Sequence, residues 1–426
     1  MRGIAVCGIL AVNIFVMGTV GSTQGRTFPA QLDHDWIAWG AERIFLEGPM
    51  RGLFTMLFGA GMLMMLKRAE GPEGLVLPID VWTRRCLLLL FFGVIQFLVL
   101  MWPGEILWTY GIAGLALLTF RTAKVRTLWI WTFLIIASLS IHRAYDTSTY
   151  LPAYENALAG EQKQALGLKP TPEQQVGLDA VKGANAANHP TVVSLTEEIS
   201  ERTKLHSLIA WSAKEWSSRH LEFYSWIGVA ESLAFMLAGM ALYRSGVLTG
   251  MARSRTYWLL LLFGGAIGLG LRFFDVAWQA RTGFELDIHR MVPAVSILRS
   301  GWYQPARLAL TIAYVALIVL MMRSKKRFWI PPFRALGRTA LTTYTLQSIL
   351  TSLLFYAFGY LGSFGAAELM LVTLGICIIT CSFSLAWLSR APMGPAEWLL
   401  RAFAYGSFSP KRRAQAAEVV ARGPSV

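Results

Sequence analysis

Residues 370–388 read MLVTLGICIITCSFSLAWL, nineteen positions without a charged side chain. A helix of that length rises roughly 30 Å, the thickness of a bilayer's hydrocarbon core. The run has neither the alternation of a half-buried strand nor the polar stripe of a surface helix. Residues 52–66 and 86–101 read the same way. The whole chain agrees, since 55% of its 426 residues are apolar, only 15% are charged, and the mean hydropathy is +0.48. A soluble protein carries about a quarter charged residues, so a soluble enzyme is excluded. The 16 Trp, 13 Tyr and 24 Phe suit a polytopic bundle, because amphipathic rings settle at the two membrane interfaces.

Ten spans are expected, near residues 3–20, 50–66, 86–102, 105–120, 127–142, 223–243, 256–274, 303–322, 339–360 and 367–389. The fold class is therefore an all-α transmembrane bundle, with the lipid bilayer as its first partner. Placing loops on alternate sides puts 23 Lys and Arg against five acids on the side of the amino terminus, and 16 basic against 20 acidic residues on the other. This asymmetry predicts that both termini are cytoplasmic. It also explains the net charge of +14 without nucleic acid, since the basic residues are scattered over short loops. The chain divides into an amino-terminal transmembrane half (1–142), an extracytoplasmic segment (143–221), a carboxyl-terminal transmembrane half (222–401) and a basic cytoplasmic tail (402–426).

The 143–221 segment holds 8 basic and 9 acidic residues and is expected to cross to the outside. Its middle, 168–190, is rich in Gly, Pro, Asn and Gln and reads as flexible, whereas the apolar spacing over 192–220 predicts a helix on the outer surface or capping the bundle. A second such helix is expected over 33–47. Cys7, Cys86, Cys377 and Cys381 all lie in apolar spans, implying no disulfide framework, and Cys377 with Cys381 lacks a third ligand, so no metal is expected. The first span shows no cleavage site for a signal peptide. No phosphate-binding glycine loop is present, and the Gly59–Gly61 and 264–270 glycines read as helix-packing positions.

Several segments together resemble the YeiB-like family of bacterial inner-membrane proteins. Arg2-Gly3 through Asn13 is similar to that family's opening R-G-x-A-x-x-G-I-x-x-x-N, and Phe54 to Gly61 resembles its F-x-x-L-F-G-x-G. Arg84-Arg85, Gly93, Trp102-Pro-Gly-Glu-Ile-Leu107 and Tyr110 resemble a second block, and Gly337 to Tyr344, Gln347-Ser348, Gly394-Pro395, Glu397 and Arg401 a third, G-R-x-A-L-T-N-Y-x-x-Q-S…G-P-x-E-x-x-x-R. The chain departs from the pattern at Gln96, where the family has His, at Glu105 for Asp, and at Thr343 for Asn. The resemblance implies a distant relation to the transmembrane acyltransferases, which include the lysosomal heparan N-acetyltransferase and bacterial envelope O-acetyltransferases. It thereby implies acyl-CoA as donor substrate and an envelope glycan, lipid or small polar acceptor.

Acyl transfer needs a base that titrates near neutrality, and all six His fall on the outer side or at its edge. His34, bracketed by Asp33 and Asp35 in a stretch that the family keeps acidic, is the first candidate. His142 with Asp146, and His289 beside Asp287 and Arg290, are others. Glu105 follows Pro103-Gly104 at the start of a helix, where the dipole favours a carboxylate, either as a cap or as a catalytic acid. On the opposite side Arg84, Arg85 and Arg338 suit a phosphorylated donor, with interface anchoring as their alternative role. Arg338 opens the ninth span, where free amides would add to an anion site. Gln96, Glu231 and Gln347 lie within spans, where polar groups are costly enough to suggest substrate contacts, although Glu231 also fits a paired structural acid.

Two other functions remain open. One is a secondary transporter or exporter of a small polar solute using Glu231, Glu105 and Gln96, and the other is a non-catalytic envelope partner; a homo-oligomer is compatible with each. The topology has a direct check. A reporter inserted at Gly183 should show activity typical of the outer compartment, and cytoplasmic-type activity there would refute the ten-span arrangement.

Overall fold

The structure, a computed structural model, describes residues 1–20, 33–68, 78–188, 191–222, 225–282, 292–324 and 329–406. Among these the regular elements are helices, with no strand. The first half contains α1 (Arg2–Gly18), α2 (His34–Ala41) with a π turn at Glu42–Leu46, α3 (Pro49–Arg68), α4 (Pro78–Leu98), α5 (Leu107–Ala116) closed by a 3-10 turn, and α6 (Val125–Ala165). Then come α7 (Pro172–Asn188), α8 (Val192–Thr203) and α9 (Leu205–His220). The second half holds α10 (Ser225–Arg244), α11 (Ser254–Thr282), α12 (Pro293–Gly301), α13 (Tyr303–Arg323), α14 (Ile330–Arg338), α15 (Ala340–Ser352) with a π turn, α16 (Ala366–Leu388) and α17 (Pro395–Tyr405). Among the described residues seven helical stretches are long and apolar enough to cross a membrane, and each of the ten expected spans falls on a helix. The protein is an all-α membrane bundle.

Several boundaries differ from expectation for identifiable reasons. The third span begins at Pro78, so Arg84 and Arg85 belong to α4 and not to the preceding loop. Trp82 on that added turn donates to the Gly114 carbonyl at 2.8 Å, holding it against α5. The fifth span continues as α6 through Pro152 to Ala165, far beyond residue 142. The expected flexible stretch contains α7, which lies back along α6. Its polar composition hid a close crossing: a Cβ on Gly177 would overlap the Ala153 carbonyl, and Ala157 beside it is fully buried. The surface helix over 192–220 is two helices, broken at Lys204, which is extended (φ −94°, ψ 129°).

These two helices cap one end of the bundle. Arg202 of α8 is 2% exposed and donates to the Met17 and Thr19 carbonyls at 3.0 and 2.8 Å, satisfying groups that the end of α1 leaves open. α9 packs on α4, where Ser212 donates to the Phe97 carbonyl at 2.8 Å.

The tightest crossing in the bundle joins α3 and α10. A Cβ on Gly59 would overlap the Met236 carbonyl and one on Gly239 the Met56 carbonyl, so the two backbones touch reciprocally. Gly61, in contrast, faces the Arg2 guanidinium, and Gly264 and Gly268 face α13 while Gly265 and Gly270 are open. Small residues of this kind are how helices approach where lipid removes the hydrophobic drive. Gly239→Val must push the helices apart and should destabilise the protein by about 3 kcal/mol or more, read as a lower melting temperature in detergent. Gly265→Val should melt like the parent.

Candidate functional site between a basic mouth and a buried carboxylate

The site begins at a helix terminus. α15 follows α14 across a kink at Thr339, and its first amides would be unpaired without help. Glu397 of α17 supplies it, accepting the Leu341 amide at 2.6 Å, the Thr342 amide at 3.2 Å and the Thr342 hydroxyl at 2.5 Å. The anion that this terminus holds is therefore the protein's own carboxylate. Arg338 turns to the Pro392 carbonyl, 2.7 Å away.

Beside this junction opens a cavity of about 460 Å³, whose rim carries Arg2, Arg85, Arg338 and Arg401 against Glu397. It narrows into a slot of about 120 Å³ that shares Arg2, Arg85, Arg338, Glu397 and Leu400 with the mouth. The slot wall is apolar and aromatic, with Ile9, Phe54, Phe58, Leu89, Tyr110 and Tyr344, and it reaches Ile106 and Leu107. Arg85 spans both parts. Its guanidinium lies 5.7 Å from the Phe58 ring and 5.8 Å from that of Trp82, and its Nε has no acceptor among the described residues. Tyr344 accepts from Trp102 Nε1 at 3.1 Å and from the Ile106 backbone amide, fixing the slot's inner end.

Glu105 lies directly behind that end, in the loop that opens α5. Its carboxylate accepts the Leu107 amide, the Trp108 amide at 3.0 Å and Trp216 Nε1 of α9 at 3.1 Å. Gly93 of α4 makes room for it, since a Cβ there would sit 3.0 Å from both oxygens. Trp216 is stacked between Phe97, with ring centres 4.2 Å apart, and His220, at 5.0 Å. His220 Nδ1 lies 3.0 Å from the Trp216 carbonyl and Nε2 3.6 Å from the Glu105 carboxylate. Nε2 also lies 3.3 Å from the Glu105 backbone carbonyl, so both ring nitrogens face acceptors; in the neutral ring one of them donates and the other keeps a lone pair for a proton. Burial lowers the His220 imidazole below its ordinary value.

Residues singled out from the sequence divide between this site and others. Arg85, Arg338 and Glu105 belong to it, whereas Arg84 is exposed and lines neither part of the cavity. Gln96 donates to Ser348 of α15, and Gln347 is buried beside that pair. Glu231 is held by Arg51 and by Arg307 at 2.8 Å, with Gln304 donating at 2.8 Å, and no contact among the described residues joins it to Glu105 or Gln96. His34 has a side chain 79% exposed, 4.0 Å from Asp35. Asp33 accepts the Trp36 amide and Asp35 the Ala367 amide, each at 2.8 Å, so both cap helices. His289, Asp287 and Arg290 lie outside the described residues. The residues that the reading of single positions missed are Arg2, Arg401, Glu397 and His220; the first three stand in the family motifs, and His220 has no local signature.

His220, on α9 outside the spans, has a folded-state pKa below its ordinary value, so its stabilising share is present above ~6.5 and is lost as pH falls. His220→Asn removes that dependence. Its melting temperature relative to the parent should therefore climb as pH falls from 8 to 5, and a constant difference would contradict the lowered imidazole.

Comparison with known proteins sets the site in context. Residues 242–407 match a family model described as a protein of unknown function (DUF418). The chain is 27% identical to YxaH of Bacillus subtilis (strain 168) over 96% of its own length and 94% of the relative's. It is 27% identical to YeiB of Escherichia coli (strain K12), with 94% of each chain covered. A 39.9 kDa protein from the amylase 3' region of Bacillus acidopullulyticus is 24% identical over 95% of this chain and 92% of that one. No solved structure matches. The carboxyl-terminal match and the two similarities that run nearly end to end support the motif reading of a YeiB-like family.

Proposed function

We propose that the protein transfers an acyl group from acyl-CoA, bound at the basic mouth, to a polar acceptor that arrives at the α9 end. The observation that carries this reading is the slot itself, which runs from a rim of four arginines to the turn beneath Glu105 and His220. Arginines suit the donor's phosphates, the aromatic wall suits a slender pantetheine arm, and the slot's inner end would bring the thioester toward the histidine and carboxylate. His220 takes the proton of the acceptor hydroxyl or amine, Glu105 steadies the imidazolium that forms, and the coenzyme leaves as its thiol. Four segments distant in sequence, carrying Arg2, Arg85, Arg338 and Arg401, meet at this mouth, which is what a site for one large anion requires.

The charge asymmetry of the loops supports the matching topology: a bacterial inner membrane, both termini in the cytoplasm, the basic mouth facing cytoplasmic acyl-CoA and α9 facing out. Labelled acetyl-CoA offered to the purified protein with an envelope extract should lose its acetyl group to an acceptor. Arg85→Ala should raise the KM for the donor at least tenfold, and His220→Asn should lower kcat by about 10²–10⁴ at normal abundance. If the parent neither moves label nor releases coenzyme, the proposal fails.

A further inference from the structure

α15 presents Ala340, Tyr344 and Gln347 three or four residues apart, on one stripe of the helix. The first two line the slot, and Gln347 follows Tyr344 by three residues along the same stripe without lining it. It is 2% exposed, and its Nε2 hydrogens meet no acceptor among the described residues. The polar groups around it are already occupied. Gln96 donates to Ser348, and the Ser348 hydroxyl donates to the Tyr344 carbonyl at 3.2 Å. Thr351 donates to the carbonyl of Gln347 itself at 2.8 Å, and Tyr344 is engaged with Trp102.

A buried amide donor left unpaired in a membrane protein bears its full desolvation cost, so such a group is expected to have a partner that comes and goes. We infer that Gln347 is the hydrogen-bond donor to the carbonyl oxygen of the acyl group, an inference that rests on the acyl transfer proposed above. The acceptor gives its proton to His220 Nε2 and its oxygen or nitrogen bonds to the thioester carbon, while the carbonyl pair moves onto the oxygen facing Gln347. When that pair returns, the carbon–sulfur bond breaks and the thiolate takes the proton from His220. A donor placed where negative charge develops acts on the transition state more than on bound substrate.

Gln347→Met keeps the volume and removes the donor. It should lower kcat by about 10²–10³ with the KM for acetyl-CoA within about twofold, and it should melt no lower than the parent, since it removes an unpaired group. Gln347→Asn keeps the amide but withdraws it by one methylene, and is expected to lose kcat equally. The infrared stretch of ¹³C-labelled acetyl-CoA should move to lower frequency on binding the parent and not on binding either variant. A variant with parental kcat, or an unshifted carbonyl in an active parent, overturns the role of Gln347 while leaving acyl transfer standing. A parent with no transfer removes both.

Discussion

Hydrocarbon offers a polar side chain no partner, so the charged groups drawn into the bundle are matched chiefly by other parts of the same chain. Glu231 of α10 is answered by Arg51 of α3 and Arg307 of α13, Glu397 of α17 by the opening amides of α15, and Arg202 of α8 by the last carbonyls of α1. These matches join elements far apart in sequence, and between them they decide which helices are neighbours. A bundle held by greasy contact alone would have many registers of similar energy, whereas a guanidinium that must meet a given carboxylate admits few.

The same rule shapes the site. Glu105 is brought indoors by three N–H donors and by the missing side chain of Gly93, and its neighbour His220 arrives on a helix that is not part of the membrane bundle at all. Chemistry of the proposed kind needs an imidazole held beside a carboxylate, and burial keeps the His220 ring below its ordinary proton affinity. At the other end the requirement is reversed. Among the described residues the arginines of the mouth are gathered with a single opposing carboxylate, which is itself committed to capping a helix.

The membrane spans were readable because long apolar runs have no other stable home, and among the described residues seven of the ten expected ones are long and apolar enough to cross. Their ends were less so. Arg84 and Arg85 read as loop residues, but long cationic side chains can leave a helix axis and reach the interface, so they tolerate a position inside α4. α7 was hidden because Gly and Asn lower helix propensity, while the contact that rewards Gly177 comes from a different helix. The choice of histidine shows the same limit. His34 drew attention through acidic neighbours in sequence, yet those carboxylates cap helices; His220 finds its partner 115 residues away, a distance over which local spacing carries no information.

The length of α6 has a mechanical meaning. Its 41 residues make a rod of roughly 60 Å, about twice what the hydrocarbon needs. The inner part packs on α10 within the bundle, and the outer part carries α7 and meets α12. One unbroken shaft therefore belongs to both the membrane body and the lobe beyond it. A tilt of the shaft in the bilayer would swing its far end by several ångströms, so changes in bilayer thickness become leverage on the lobe that a flexible linker would have absorbed.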